Sequence, residues 1–93
     1  MVGIQGVAVR KMKAVIADEH DDFVSVIEGP EDVILSLKTF LTAFDHYEHP
    51  MCWGSEEFVD FLNDVVLKDR EEKVVILELY TDEHDKSLPK LRI

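Results

Sequence analysis

His46, His49 and Cys52 follow one another at three-residue intervals in DHYEHPMCW, and all three side chains can ligate zinc. A structural zinc centre takes four ligands and is usually richer in cysteine, so Asp45 or Glu48 would have to complete this one. Pro50 lies between the second and third ligands and hinders their convergence on one centre. A zinc-dependent enzyme or regulator is therefore the weakest of the readings open to this chain. The plainer alternative is a connection packed onto the core by Tyr47, Met51 and Trp53, with its histidines at the surface.

Covalent chemistry finds less support. Cys52 has no cationic neighbour other than a histidine, and a Cys52–His46 or Cys52–His49 pair lacks a third residue to orient it. The serines at 25, 36, 55 and 87 stand in no nucleophile elbow. The glycines at 3, 6, 29 and 54 make neither a phosphate loop nor a dinucleotide fingerprint. The expectation is a protein that is not an enzyme and needs no cofactor.

Carboxylates are the abundant chemistry. Asp-Glu-His-Asp occurs at 18–21 and again at 82–85, and Asp18, Glu19, Asp21 and Asp22 crowd the first copy. Calcium-loop spacing and its central glycine are missing, so oxygen number alone makes no cation site. The two copies share nothing beyond the tetrapeptide. Each leaves one apolar segment and enters another, which fits a turn chemistry used twice, since Asp and His tolerate left-handed backbone and Asp bonds nearby amides.

A second acidic array lies downstream. Glu57, Asp60 and Asp64 stand at i, i+3 and i+7 and share one side of a helix. They climb roughly 10 Å at about 1.5 Å per residue, a spacing comparable to the phosphates of a DNA strand, which repeat at about 3.4 Å. A protein that blocks a nucleic-acid-handling enzyme by resembling its ligand would carry such a row. So would an ordinary solvated helix face.

The chain as a whole has the same bias. Twenty Asp and Glu face ten Lys and Arg, a formal net charge of −10 over 93 residues. Residues 18–32 hold seven carboxylates and residues 45–64 hold six, with no Lys or Arg in either stretch. Such charge disfavours nucleic acid and anionic membranes, and speeds encounter with basic proteins. Solubility alone is the competing explanation. One cysteine allows no intrachain disulfide and suits a reducing, cytoplasmic setting. Arg10, Lys11 and Lys13 follow the first apolar residues rather than precede them, unlike a signal peptide. The longest clean aliphatic run, VVIL at 74–77, is too short to span a membrane.

The elements that must position these residues are well patterned. The length and the 46% apolar fraction suit one compact domain over 1–93. VAVRKMKAVIA (7–17) and FVSVIEG (23–29) predict a strand pair. Pro30 is expected at the first position of a helix running to about residue 45, with Val33, Ile34, Leu37, Phe40, Leu41 and Phe44 on its apolar side. Ser55 is expected to cap a second helix that buries Phe58, Phe61, Leu62, Val65 and Val66. VVILELY (74–80) predicts the strongest strand, and SLPKLRI a short last one kept to an edge by Pro89. The order is β-β-α-α-β-β, an α+β two-layer domain whose antiparallel or mixed sheet carries two helices on one face. VVILELY is apolar on both sides, so an uncovered face or edge is expected to form a homodimer or meet a partner.

CWGSEEFVDFL, followed by an apolar helix and strand, resembles the core of barstar-type ribonuclease inhibitors over roughly a quarter of the chain. The upstream hairpin and the lack of a final helix-and-strand unit depart from that pattern. The resemblance implies an inhibitor, in agreement with the charge. The leading expectation is a small acidic protein that occludes a basic nucleic-acid-handling target by partial mimicry, in the manner of immunity proteins, antitoxins or phage counter-defence proteins such as anti-CRISPR inhibitors. Glu57, Asp60 and Asp64 are its first contact candidates, then Asp18, Glu19, Asp21 and Asp22. The main rival is a non-catalytic homo-oligomeric module whose acidity serves solubility.

Overall fold

Two seven-residue strands, β1 (Lys11–Ala17) and β2 (Val24–Pro30), pair antiparallel from Lys11↔Pro30 to Ala17↔Val24 in the computed structural model of the protein. The structure describes residues 10–17, 24–47, 54–81 and 83–93. The first Asp-Glu-His-Asp, with Asp18, Glu19, Asp21 and Asp22, lies outside the described residues, as do His49 and Cys52. Alternation sorts the side chains of the pair. Met12, Ala14, Ile16, Ser25 and Ile27 face one way, and Val15, Ala17, Val24 and Val26 the other.

The chain enters its first helix without a loop. Pro30 still pairs with Lys11 and has φ −59° and ψ 136°, so it precedes α1 (Glu31–Leu35) instead of starting it. The expected single helix is broken at Ser36. The Ser36 amide bonds the Val33 carbonyl at 3.0 Å, while its own carbonyl accepts from Thr39 and Phe40 at 3.0 and 3.2 Å. Ser36 thus ends α1 and opens α2 (Leu37–Tyr47), the boundary role that serine favours over a helix interior. The apolar side survives the break. Val33, Ile34, Leu37 and Phe44 are buried and Phe40 and Leu41 half-buried, but Leu35 is 68% exposed.

Gly54, extended at φ −149° and ψ 179°, precedes α3 (Ser55–Phe61), and no side chain caps that end. Ser55 is therefore the first helical residue, with its side chain buried, rather than the expected cap. After Phe61 the helix widens into a π turn, Leu62–Val66, closed by the Leu67 amide on the Leu62 carbonyl at 2.8 Å. The wider turn advances each residue through a smaller angle than an α-helix does. That rotates Val65 outward to 42% exposure, where a straight helix would have buried it. Phe44 of α2 meets Phe58 and Phe61 of α3 at ring-centroid distances of 5.5 and 5.2 Å, which joins the helices over the sheet.

β3 (Val75–Thr81) lies antiparallel to β2, and β4 (Lys90–Arg92) runs parallel to β1. The mixed sheet has the order β3-β2-β1-β4, and the element order is the expected β-β-α-α-β-β. Met12, Ala14, Ile16, Ile27, Ile76 and Leu91 join the helices in the main core. The opposite face holds a smaller cluster of Val15, Ala17 and Val24 with Leu88 against it. That face is accordingly not bare near β1, and the large exposed apolar side chains of the sheet are on β3. No helix among the described residues is long and apolar enough to cross a membrane.

Candidate functional site

Four carboxylates leave the solvent side of α3 and its π turn. Phe58, Val59, Phe61 and Leu62 are buried, while Glu56, Glu57, Asp60 and Asp64 are exposed. The π turn does not disrupt the row. Asp64, within the π turn, is exposed as Glu57 and Asp60 are.

These carboxylates differ from others in the same chain. The Arg70 guanidinium holds both oxygens of Asp32, at 2.9 and 3.3 Å, and bonds Glu72 at 2.9 Å. The hydrogen bond from Arg70 keeps the Asp32 carboxyl below its usual range, and Asp32 and Glu72 together push the guanidinium up. Asp85 is lowered by the Ser87 side-chain hydroxyl and amide, which bond Asp85 Oδ1 at 2.7 and 2.9 Å. Among the described residues, Glu57, Asp60 and Asp64 enter no ion pair.

The second Asp-Glu-His-Asp is seen from Glu83 onward. Thr81 Oγ1 accepts from the Glu83 amide at 3.3 Å and donates to its carbonyl at 3.0 Å, and Asp85 accepts from Ser87. These local bonds are the turn chemistry anticipated for the motif. His46 is exposed on α2, and the other two proposed zinc ligands fall outside the described residues. No group of three or more His, Cys, Asp or Glu among the described residues is placed to hold a metal.

The edge strand β3, outermost among the described strands, contributes a feature of a different kind. β3 is the outer neighbour of β2, and Val75, Leu77, Leu79 and Tyr80 are 42 to 48% exposed along it. Tyr80 has φ 53°, the one positive φ at a non-glycine among the described residues. Its amide donates to the buried Ser25 hydroxyl at 3.2 Å. Its ring reaches the start of α3. A Cβ placed on Gly54 would stand 3.3 Å from Tyr80 Oη and 2.7 Å from Glu57 Oε1. The structure thus brings Tyr80 up to one end of the acidic row, a neighbour that sequence reasoning did not find. Nothing local signals it, because tyrosine is not a residue that favours left-handed backbone.

Basic residues lie on an inner strand and on the other edge of the sheet, and Lys11 also lines a pocket with Lys73 and Val75 at the start of β3. Lys11 and Lys13 are on β1 and Lys90 and Arg92 on β4, the edge opposite β3. Glu78 is exposed on β3 itself, and Lys73, just before it, gives its ammonium to the Leu67 carbonyl at 2.6 Å.

Comparison with family models, with curated proteins and with solved structures returned no match to this chain, so the site stands on its own geometry.

Proposed function

We propose that the protein is a small acidic binding protein that occludes a basic, nucleic-acid-handling target, with Glu57, Asp60 and Asp64 steering the encounter. One observation supports this reading: Glu57, Asp60 and Asp64 are exposed on α3 and its π turn and enter no ion pair among the described residues, although the same fold pairs Asp32 and Glu72 with Arg70. Unpaired surface charge of one sign accelerates association with a surface of the opposite sign and rejects like-charged competitors. Occlusion requires no catalytic group on this chain. Asp18, Glu19, Asp21 and Asp22 would extend the acidic surface.

The test is competition. The immobilised protein is expected to retain a basic nucleic-acid-handling enzyme at low salt, and added duplex DNA or RNA is expected to release it. A retained enzyme that keeps its nucleic-acid activity in the complex would overturn the proposal.

The exposed side chains of β3 favour one alternative, self-association, which would make the protein a homo-oligomeric module. Light scattering across a concentration series separates the two. A mass that rises with concentration and ignores salt supports the module.

A further inference from the structure

We propose that the hollow between the start of β1, the end of β2 and the start of β3 binds a free α-amino acid with an apolar side chain. The hollow measures about 290 Å³, and Lys11, Glu28, Glu71 and Val75 are among its walls. That is close to the lower limit of small-molecule sites, roughly 300 to 1,000 Å³, and suits a ligand of few atoms. None of the carboxylates of α3 and its π turn lines it, so the site is independent of the binding reading above.

Strand register sets the charges of the hollow together. β1 pairs Lys11 with Pro30 and Lys13 with Glu28, and β3 sets Val75 against Glu28. Partners in a ladder share a face, and so do residues two apart along a strand. Lys11, Glu28 and Val75 therefore stand on the face opposite the main core. Leu88 packs on that face around Val15, Ala17 and Val24, at the other end of the strands. Val75 is 48% exposed. The approach to β3 brings Glu71, Glu72 and Lys73 to the same hollow.

The fold engages some of these charges and leaves others. Lys73 gives its ammonium to the Leu67 carbonyl, and Glu72 accepts from Arg70. Lys11, Glu28 and Glu71 enter no ion pair among the described residues, and Lys13, directly across from Glu28, makes none with it. Glu28 is the half-buried one, on an inner strand, where an ionised group without a partner is costly.

One ammonium and two carboxylates thus line one space without neutralising each other. An anion there would meet Lys11 and be repelled by Glu28 and Glu71. A cation would meet the carboxylates and be repelled by Lys11. A ligand with both charges close together satisfies both sets and adds no net charge. An α-amino acid is such a ligand. Its ammonium goes to Glu28, its carboxylate to Lys11, and an apolar side chain covers Val75.

The experiment compares L-leucine, leucinamide and N-acetyl-leucine, which share a side chain and are zwitterion, cation and anion. Binding is followed by isothermal titration and by amide chemical shifts of the labelled protein. L-Leucine is expected to bind with its largest shifts at Lys11, Glu28 and Val75, and to raise the melting temperature as its concentration rises. Each blocked analogue loses one charged contact and is expected to bind roughly tenfold more weakly or worse. Glu28→Gln keeps the shape of the side chain and is expected to weaken L-leucine to the level of N-acetyl-leucine. Lys11→Met is expected to weaken it to the level of leucinamide, and at an exposed position it serves alone should Glu28→Gln not fold. Leucinamide or N-acetyl-leucine binding as tightly as L-leucine would overturn the amino-acid site. So would L-leucine failing to bind up to its solubility, or shifting amides away from the hollow. None of these outcomes bears on the encounter of the α3 carboxylates with a basic partner.

Discussion

The backbone amide of Tyr80 donates to the hydroxyl of Ser25 at 3.2 Å, joining the most strained residue of the edge strand to a side chain with no solvent exposure. A tyrosine at φ 53° costs on the order of 1 kcal/mol or more. The bond to Ser25 helps hold it there. Ser25→Ala is expected to lower the unfolding free energy by about 1 kcal/mol in urea titration, because the amide loses its acceptor. An unchanged midpoint would mean that the bond holds nothing.

A second side chain secures the other end of β3. Asn63 Nδ2 donates to the Val74 carbonyl at 2.9 Å, and Asn63 Oδ1 accepts from the Val74 amide at 2.7 Å. The two bonds satisfy both backbone groups of Val74. Asn63→Ala is expected to cost about 2 kcal/mol, again read from urea unfolding. Hydrogen exchange should quicken at the Val74 amide before the rest of β2 and β3. Uniform protection across these residues would contradict the assignment.

Gly29 is required by how closely Val74 packs. A Cβ at position 29 would stand 2.7 Å from Val74 Cγ2 and 3.4 Å from Val74 Cα. The nearest atom belongs to a short, buried, branched side chain with little freedom to withdraw. Gly29→Ala is expected to destabilise by roughly 1 to 3 kcal/mol. Combining it with Val74→Ala should recover part of the loss, and thermal melts of the single and double variants check both statements.

The ion pair of Arg70 with Asp32 gives a small effect with a defined pH dependence. Arg70 holds the folded Asp32 carboxyl below its ordinary value of 3.8. A lowered folded pKa contributes stability above the unfolded value, and that stability is lost as pH falls through the folded one. Both side chains are substantially exposed, so the difference between wild type and Arg70→Ala should be under about 1 kcal/mol at neutral pH. It should fade below pH 3.8. A difference constant from neutral pH to pH 2 would show that Arg70 acts through packing alone.

Much of the fold can be read along the chain, since local pattern and burial agree there. Alternation marks β1 and β2, Pro89 keeps β4 short and at an edge, and Val33, Ile34, Leu37, Phe40, Leu41 and Phe44 of α1 and α2 are those that pack. Failures occur where the backbone departs from a regular helix or a distant partner decides. Residues 58, 61, 62, 65 and 66 fit a straight helix, and only the observed π turn exposes Val65. Ser36 looks like an interior helix residue until its amide and carbonyl are each seen to close a different helix. The exposure of Glu57, Asp60 and Asp64 was legible because they fall between the apolar positions of the segment. The neighbouring Tyr80 was not, because strand order and a positive φ are set by residues more than fifty positions away, Ser25 among them.

The most direct test of the binding proposal is the association rate of wild type and the triple variant Glu57→Gln, Asp60→Asn, Asp64→Asn with the captured basic partner, followed across a salt series. None of the three side chains packs in the core, so the variant should fold with unchanged circular dichroism and melting temperature. Its association at low salt should be slower by roughly tenfold or more, and the two rates should converge as salt screens the remaining charge. A folded triple variant that associates at the wild-type rate at every salt concentration would contradict the proposal and leave the acidic face as a solubilising surface.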